Sequence, residues 1–541
     1  MSTKDSSTDV LIVGAGPVGL SASIELGRRG IRCLVVERND RVGYSPRAKT
    51  TNVRTREHLR RWGIADALRA ASPIAPDRPS TVVFATRMNG FLLARFENAL
   101  NGSRERTNLY SEEAQWVPQY ILEDVLRRHA ESLAGVAIQF DTEFLSFTQT
   151  PDGVVACIRD VRSGSENEIH CAYMIGADGP RSAVRSAIGA RMTGDGAISR
   201  NFSIIFRAPD LATRQAHERA IMYWMVNQDV PSLLGPMDEK GLWFFMATKL
   251  PGDLDPASID PADLIRRGTG IADLDIEIVG TDLWLANRLV ADRYMLGRVV
   301  LAGDACHLHP PFGGFGMNMG IGDAVDLGWK IAARLAGWGG ESLLESYELE
   351  RRQVHERTIA EAIANFGVAA NQFVQPGIEE AGPIGEATRR EAGEIIQASK
   401  MREFRTLGIV LGMRYEDSPI IVADGSDPPP GNFMLYIPSA HPGCLAPHLW
   451  LVDGSSLYDH FGPGFTLLVT DGDPRDAEVF VAAATEAKVP LEVLAPADRR
   501  LRARYGARFA MIRPDQHVGW RGDTAPASIA ELFACLTGSK P

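Results

Sequence analysis

Apolar and polar positions fall into blocks at the start of the chain. Val10-Leu11-Ile12-Val13 is an unbroken apolar run, and residues 17–26 repeat apolar positions at helical spacing. Ile31 to Val36 forms a second run, broken only by Arg32. Continuous apolar runs flanking a helical stretch predict one βαβ unit of a buried parallel sheet. A polar loop follows over 45–54, then short helical spacing over 55–59 that ends near Gly63, and a longer helix over 121–133. Strand-like alternation appears at 136–140, and 154–160 reads as paired with 168–175. Residues 202–250 are rich in aromatic and β-branched residues and predict a sheet. Residues 299–302 predict a buried strand before a Gly/Pro loop, and 320–335 and 343–366 predict helices by their apolar spacing.

The pattern breaks at Asp427-Pro428-Pro429-Pro430-Gly431, because three consecutive prolines fit neither a helix nor a central strand. Beyond it, 449–451, 466–470 and 509–512 read as strands and 476–487 as a helix, which predicts a small separate α/β domain. With 541 residues, 45% of them hydrophobic, the chain can build a large core over several domains. A net charge of −11 argues against nucleic acid and anionic membrane surfaces as partners. No apolar stretch is long enough to span a bilayer and residues 1–8 are polar, so a cytoplasmic protein with neither anchor nor signal peptide is expected. Cys33, Cys157, Cys171, Cys306, Cys444 and Cys535 are scattered without a Cys-x-x-Cys, which predicts free thiols and neither structural zinc nor a redox pair.

Three motifs carry chemistry. Gly14-Ala15-Gly16-Pro17-Val18-Gly19 joins the first strand to the first helix, and Glu37 closes the second strand. This is the dinucleotide-binding fingerprint in full context: Gly14 permits the turn, Gly16 lets backbone approach a pyrophosphate, Gly19 lets the helix pack on the sheet, and Glu37 can accept from a ribose hydroxyl. Asp178, in Ala177-Asp178-Gly179, sits between a strand and a helix start, where capping that helix is the plain reading. Asp304 follows Gly303 at the carboxyl edge of the strand 299–302, ahead of a glycine-rich loop and a helix beginning near Gly316. Amides at such a helix start can face an electron-rich ring edge, and the dipole favours negative charge there.

Taken together over residues 9–370, these motifs resemble the single-component flavoprotein aromatic monooxygenases, the para-hydroxybenzoate hydroxylase and phenol 2-monooxygenase group. The resemblance implies FAD, with Gly14, Gly16, Gly19 and Glu37 on its ADP half. It implies that Asp178 serves both FAD and NAD(P)H, that Asp304 meets the ribityl chain or nearby hydroxyls, and that Gly316, Met317 and Asn318 face the flavin ring with their amides. Pro311 matches a proline whose carbonyl lines the reaction pocket. Arg47 matches an arginine near the mobile flavin and the pyridine nucleotide, and Gln119 a glutamine that contacts FAD. The segments 446–459 and 512–521 look like the thioredoxin-like tail of the phenol and polyketide hydroxylases. Lacking a cysteine pair, this tail is expected to serve packing or contact within a homodimer. The implied architecture is α/β: a Rossmann-type FAD-binding domain over 1–180 and 291–390, interleaved with a β-sheet substrate domain mainly over 181–290. A linker over 391–435 and a thioredoxin-like domain over 436–541 complete it.

The implied reaction is hydroxylation of a phenolic or related aromatic ring by O₂ and NADH or NADPH through a flavin C4a-hydroperoxide, with no metal; a polycyclic aromatic polyketide is the alternative substrate. The flavin supplies that chemistry, and the protein orients the substrate and excludes water. Lys49 stands where many phenol-type relatives carry a histidine. It can stabilise a phenolate, or act as a base if burial lowers its pKa; the alternative is a solvated loop lysine. Tyr223 is a candidate to hydrogen-bond the substrate hydroxyl, with Trp224 beside it; plain core is the competing reading of both. His307 and His309 flank the cofactor loop without a third ligand pattern, and read as loop packing. A flavin halogenase would need Trp-x-Trp-x-Ile-Pro and a Baeyer–Villiger enzyme a second fingerprint, and neither is present. A non-catalytic flavin sensor would show degraded motifs, and these are intact.

Overall fold

The computed structural model describes residues 7–40, 49–248, 258–368 and 370–539. The apolar runs form the heart of the first of two eight-stranded sheets. Its strands lie in the order Met295–Leu296, Val299–Leu301, Glu166–Gly176, Ser7–Val13, Cys33–Val36, Val136–Gln139; the first pairing is antiparallel and the other four are parallel. Val154–Asp160 adds antiparallel to Glu166–Gly176, as the sequence predicts. Val10, Leu11 and Ile12 are fully buried because helices cover the sheet. Helix Pro17–Gly27 packs against helix Gly316–Leu335 at very close range: a Cβ at Gly320 would overlap Val18, and one at Gly328 would overlap Glu25. The second helix therefore starts earlier than its apolar spacing alone marks, at Gly316.

The second sheet runs Glu277–Ala291, Met192–Arg207, Leu242–Ala247, Ser232–Pro236, Met222–Met225, Val82–Ala85, Leu92–Phe96, with His307–Leu308 at one edge. It alternates strictly. Val83, Tyr223, Leu234 and Phe245 enter one core; Phe84, Trp224, Leu233 and Met246 enter another on the opposite face. Two sequence boundaries change. The sheet recruits 82–96, so it is not confined to the stretch after residue 181. Residues 391–404 are no linker either: they finish helix Pro383–Phe404, which lies so close to the edge strand that a Cβ at Gly393 would overlap the Leu93 carbonyl.

The C-terminal unit has strand order Leu491–Leu494, Phe465–Val469, Phe509–Ile512, Val518–Gly522, the first pair parallel and the rest antiparallel, with helices Glu478–Glu486, Arg500–Tyr505 and Ile529–Leu536. This is the thioredoxin-like topology. Residues 449–451 supply only an isolated bridge, Trp450 to Ser456, instead of a strand. None of the six cysteines is in a disulfide. Among the described residues, no helix is long and apolar enough to cross a membrane.

Candidate active site

The fingerprint turn leaves room for a ligand. Gly14 has φ +105°, and a Cβ there or at Gly19 would overlap backbone carbonyl oxygen. At Gly16 a Cβ would meet nothing within 4 Å, so the space over the helix start is open. No side chain caps that helix. Glu37 points back into the turn, accepting the Ala15 N–H at 3.1 Å while its other oxygen holds Asn39. An open, uncapped helix start beside a carboxylate is a seat for the pyrophosphate and ribose of a dinucleotide. Asp178 is committed to the cap the sequence suggests, accepting Ser182 Oγ at 2.5 Å and the amides of Ala183 and Val184. Gln119 opens helix Gln119–Ser132 and donates to Glu123 at 2.7 Å.

The turn that carries Asp304 is the second segment that the sequence marks for the cofactor. Gly303 turns the chain with φ +65°, packed against Val18 of the fingerprint helix. Its amide donates to Asp323 Oδ2 at 3.0 Å. The same carboxylate accepts His307 Nε2 at 2.9 Å, Arg351 Nε at 2.7 Å and His355 Nε2 at 2.8 Å, and His355 Nδ1 meets the Tyr294 hydroxyl at 2.8 Å. Burial alone would raise the Asp323 carboxyl, but His355, Arg351 and His307 outweigh it and hold it well below the usual carboxylate range. Burial lowers His355 to about 3, so it is a neutral donor. The sequence reading missed this hub; its only local signal is a pair of acids, Asp323 and Asp326, on an otherwise apolar stretch of helix. His307, read from the sequence as loop packing, is a buried member of this hub through its contact with Asp323.

Beyond it, the Pro311 carbonyl accepts the Gly314 amide at 3.1 Å, closing the loop before helix Gly316–Leu335, which again has no side-chain cap. Asn318 uses its side chain to tie this loop to the strand Thr50–Thr51: it donates to Thr50 O at 2.9 Å and Gly314 O at 2.6 Å and accepts the Asn52 amide at 3.0 Å. Only the backbone amides of Gly316, Met317 and Asn318 are thereby left to face a ring edge. The two uncapped helix starts, with open space at the first, fit the two halves of FAD.

Phe312, just after Pro311, reaches the second sheet, with its ring centroid 6.0 Å from that of Trp224. Lys49 lies on this same side of the sheet. Lys49 is not a solvated loop residue: its Nζ donates to Ile221 O at 3.0 Å and sits 4.7 Å from the Phe244 ring centroid and 5.8 Å from that of Trp116. Burial, helped by the charge of Arg78, lowers its amine well below the usual lysine range. Tyr223 requires a correction. It points to the opposite core, fully buried, with its hydroxyl donating to Glu218 O and accepting the Ala220 amide, both at 2.9 Å. Strand alternation puts Trp224 on the other side, the one that carries Phe312 and Lys49. Arg47 lies outside the described residues.

Comparison with known proteins decides the family. Residues 7–362 match the FAD binding domain model, and 439–538 match the aromatic-ring hydroxylase C-terminal model. The chain belongs to the FAD-dependent aromatic hydroxylases. Among this family's members, a putative polyketide hydroxylase of Streptomyces halstedii is 33% identical, with 96% of this chain and 95% of that protein covered. The 2,4-dichlorophenol 6-monooxygenase of Cupriavidus pinatubonensis is 31% identical over 97% and 94% of the two chains. The solved structure of the rebeccamycin biosynthetic enzyme RebC with bound 7-carboxy-K252c superposes with a TM-score of 0.91 at 34% identity, covering 98% and 99%. The protein is thus an FAD-dependent monooxygenase that hydroxylates an aromatic ring with NAD(P)H and O₂.

Proposed function

We propose that this hydroxylase acts on a phenolic ring whose hydroxyl is held by Lys49, on the flavin-facing side of the second sheet. The observation that carries this reading is the position of the Lys49 amine, set against Phe244 and Trp116 at the aromatic cluster that also holds Phe312. Bound FAD supplies the activated oxygen. The chain's own work is to orient and deprotonate. With burial holding its amine well below the usual lysine range, Lys49 takes the phenol proton at Nζ and leaves a phenolate paired with the ammonium, which makes the ring electron-rich. The aromatic walls exclude water and strengthen that pair.

In this proposal Gly14, Gly16, Gly19 and Glu37 seat the ADP half. Asp304 meets the ribityl region, and the amides of Gly316, Met317 and Asn318 meet the ring. The Pro311 carbonyl borders the reaction space. Arg47, Gln119 and Asp178 act at the cofactor's edge, Asp178 through the helix it caps. A polycyclic aromatic is the second reading, favoured by relatives named as polyketide and aklavinone hydroxylases. The test is Lys49→Met in the FAD-loaded enzyme with a panel of phenols. A rise in KM, loss of the alkaline-rising limb of the rate profile, and diversion of NAD(P)H oxidation to peroxide are expected. Unchanged affinity and coupling overturn the role of Lys49.

A further inference from the structure

The flavin-facing side of the second sheet carries two successive rungs of side chains. Gly235 pairs with Phe244 on the first; Leu233 pairs with Met246 and Trp224, and Trp224 with Phe84, on the second. The rungs are two residues apart, about 7 Å along the strands. Lys49 occupies the first, close enough that a Cβ at Gly235 would crowd its Nζ. A second lysine occupies the other. Lys400, from helix Pro383–Phe404, places its Nζ 4.4 Å from the Trp224 ring centroid and 5.7 Å from that of Phe312. It is 1% exposed, and its one hydrogen bond among the described residues is to Glu403 Oε2 at 2.6 Å.

A buried ion pair in an aromatic wall is hard to explain by stability, since apolar residues of the same volume serve as well or better there. The wall also offers the Trp224 Nε1 donor, which is buried and has no hydrogen-bond partner among the described residues. On one side Trp224 stacks on Phe84 with the rings 8° from parallel. The lysine therefore takes another side of the indole.

We propose that Lys400 is a specificity-determining residue that selects aromatic substrates carrying, besides the hydroxyl at Lys49, a second acidic oxygen group about one ring further along. The carboxylate or ionised hydroxyl at that end accepts from Lys400 Nζ and Trp224 Nε1. This rests on the reading of the aromatic cluster as the substrate site. Glu403 is the resident counter-ion that the substrate replaces. Burial raises its carboxyl, against the pull of Lys400, so on displacement it takes up one proton from solvent and no unpaired anion is left behind.

The test titrates FAD-loaded enzyme with 6-hydroxy-2-naphthoate and with 2-naphthol, following the flavin absorbance. The readout is the ratio of the two dissociation constants. Wild type is expected to favour the hydroxynaphthoate by about tenfold or more, the scale of a hydrogen bond to a charged group. Lys400→Met is expected to bring the ratio close to one. The double variant Lys400→Met with Glu403→Gln, which leaves no unpaired buried charge, is expected to do the same. No preference in wild type, or a preference kept in both variants, overturns the inference. If neither compound perturbs the flavin or stimulates NAD(P)H oxidation, the reading of the aromatic cluster itself fails.

Discussion

Asp323 accepts the backbone amide of Gly303 at 3.0 Å, and so ties the turn that carries Asp304 to helix Gly316–Leu335. One carboxylate thus fixes the two segments relative to each other, the pair that the proposed function assigns to the cofactor. It is completely buried and receives four donors. Asp323→Asn keeps the shape but removes the charge opposite Arg351 and turns one acceptor into a donor. The expected loss is about 3–5 kcal/mol, the scale for breaking a buried ion pair. A lower melting temperature and faster release of FAD on dilution, read by flavin fluorescence, check this.

Gly16 and Gly19 separate binding from folding. A methyl group at Gly19 overlaps the Gly14 carbonyl, whereas at Gly16 it enters open space. Gly19→Ala is expected to lower stability and FAD content together. Gly16→Ala is expected to fold with an apoprotein melting temperature near wild type, yet to weaken FAD binding at least tenfold, because its methyl occupies the room left for the pyrophosphate. Apoprotein melting curves and FAD titration distinguish the two.

Tyr223→Phe tests which face of the sheet the substrate meets. The Tyr223 hydroxyl serves Glu218 O and the Ala220 amide in the far core. Its loss is expected to destabilise the protein by about 1–3 kcal/mol, since a buried amide is left unsatisfied. Substrate KM and the coupling of NAD(P)H oxidation to product are expected to stay as in wild type. A raised KM with normal stability overturns the assignment of faces.

The contrast between these residues shows what was legible in the sequence. The fingerprint could be read because its chemistry is local: Gly14, Gly16 and Gly19 act within one turn, and Glu37 is one βαβ unit away. Alternation alone says that Tyr223 and Trp224 face opposite sides. Which side carries the loop after Pro311 depends on the docking of Phe312, nearly ninety positions later. Lys49 reads as a loop lysine because Trp116, Ile221 and Phe244, which bury it, come from three distant segments. Lys400 and Glu403 look like an ordinary charged pair on a helix until the helix is seen to cover the sheet edge. The hub around Asp323 gathers residues from 294 to 355, and only the fold brings them together.

Arg513 joins the C-terminal domain to the FAD-binding helices. Fully buried, it donates to both oxygens of Glu350 at 2.5 and 2.9 Å, to Asp326 at 3.2 Å and to Asp515 at 2.7 Å. Lys330 bridges the same Asp326 and Glu350 at 2.8 and 2.6 Å. Arg513→Met leaves one lysine to balance three buried carboxylates. A loss of about 3–5 kcal/mol is expected, together with new proteolytic cleavage between 412 and 435, where the two units are joined. Cleavage kinetics identical to wild type would show that the domain is held by other contacts.

Buried histidines give the protein a defined weakness to acid. Burial lowers His355 to about 3, His448 to about 3 and His309 to about 4, well under the ordinary 6.5. Between those values and 6.5, the unfolded chain binds protons that the native state refuses. Stability therefore rises with pH across this window and falls as the pH drops through it, by about 1.4 kcal/mol per unit for each such histidine. Depressed Asp323 adds to the loss only further down, as the pH passes below the usual carboxylate range. His448 is the histidine to test, because it belongs to the C-terminal domain, where its Nε2 meets Ser456 Oγ at 3.0 Å. Denaturant unfolding of His448→Gln at several pH values below neutral is expected to show a slope shallower by about 1.4 kcal/mol per pH unit. An unchanged slope would mean that folded His448 titrates as it does in the unfolded chain.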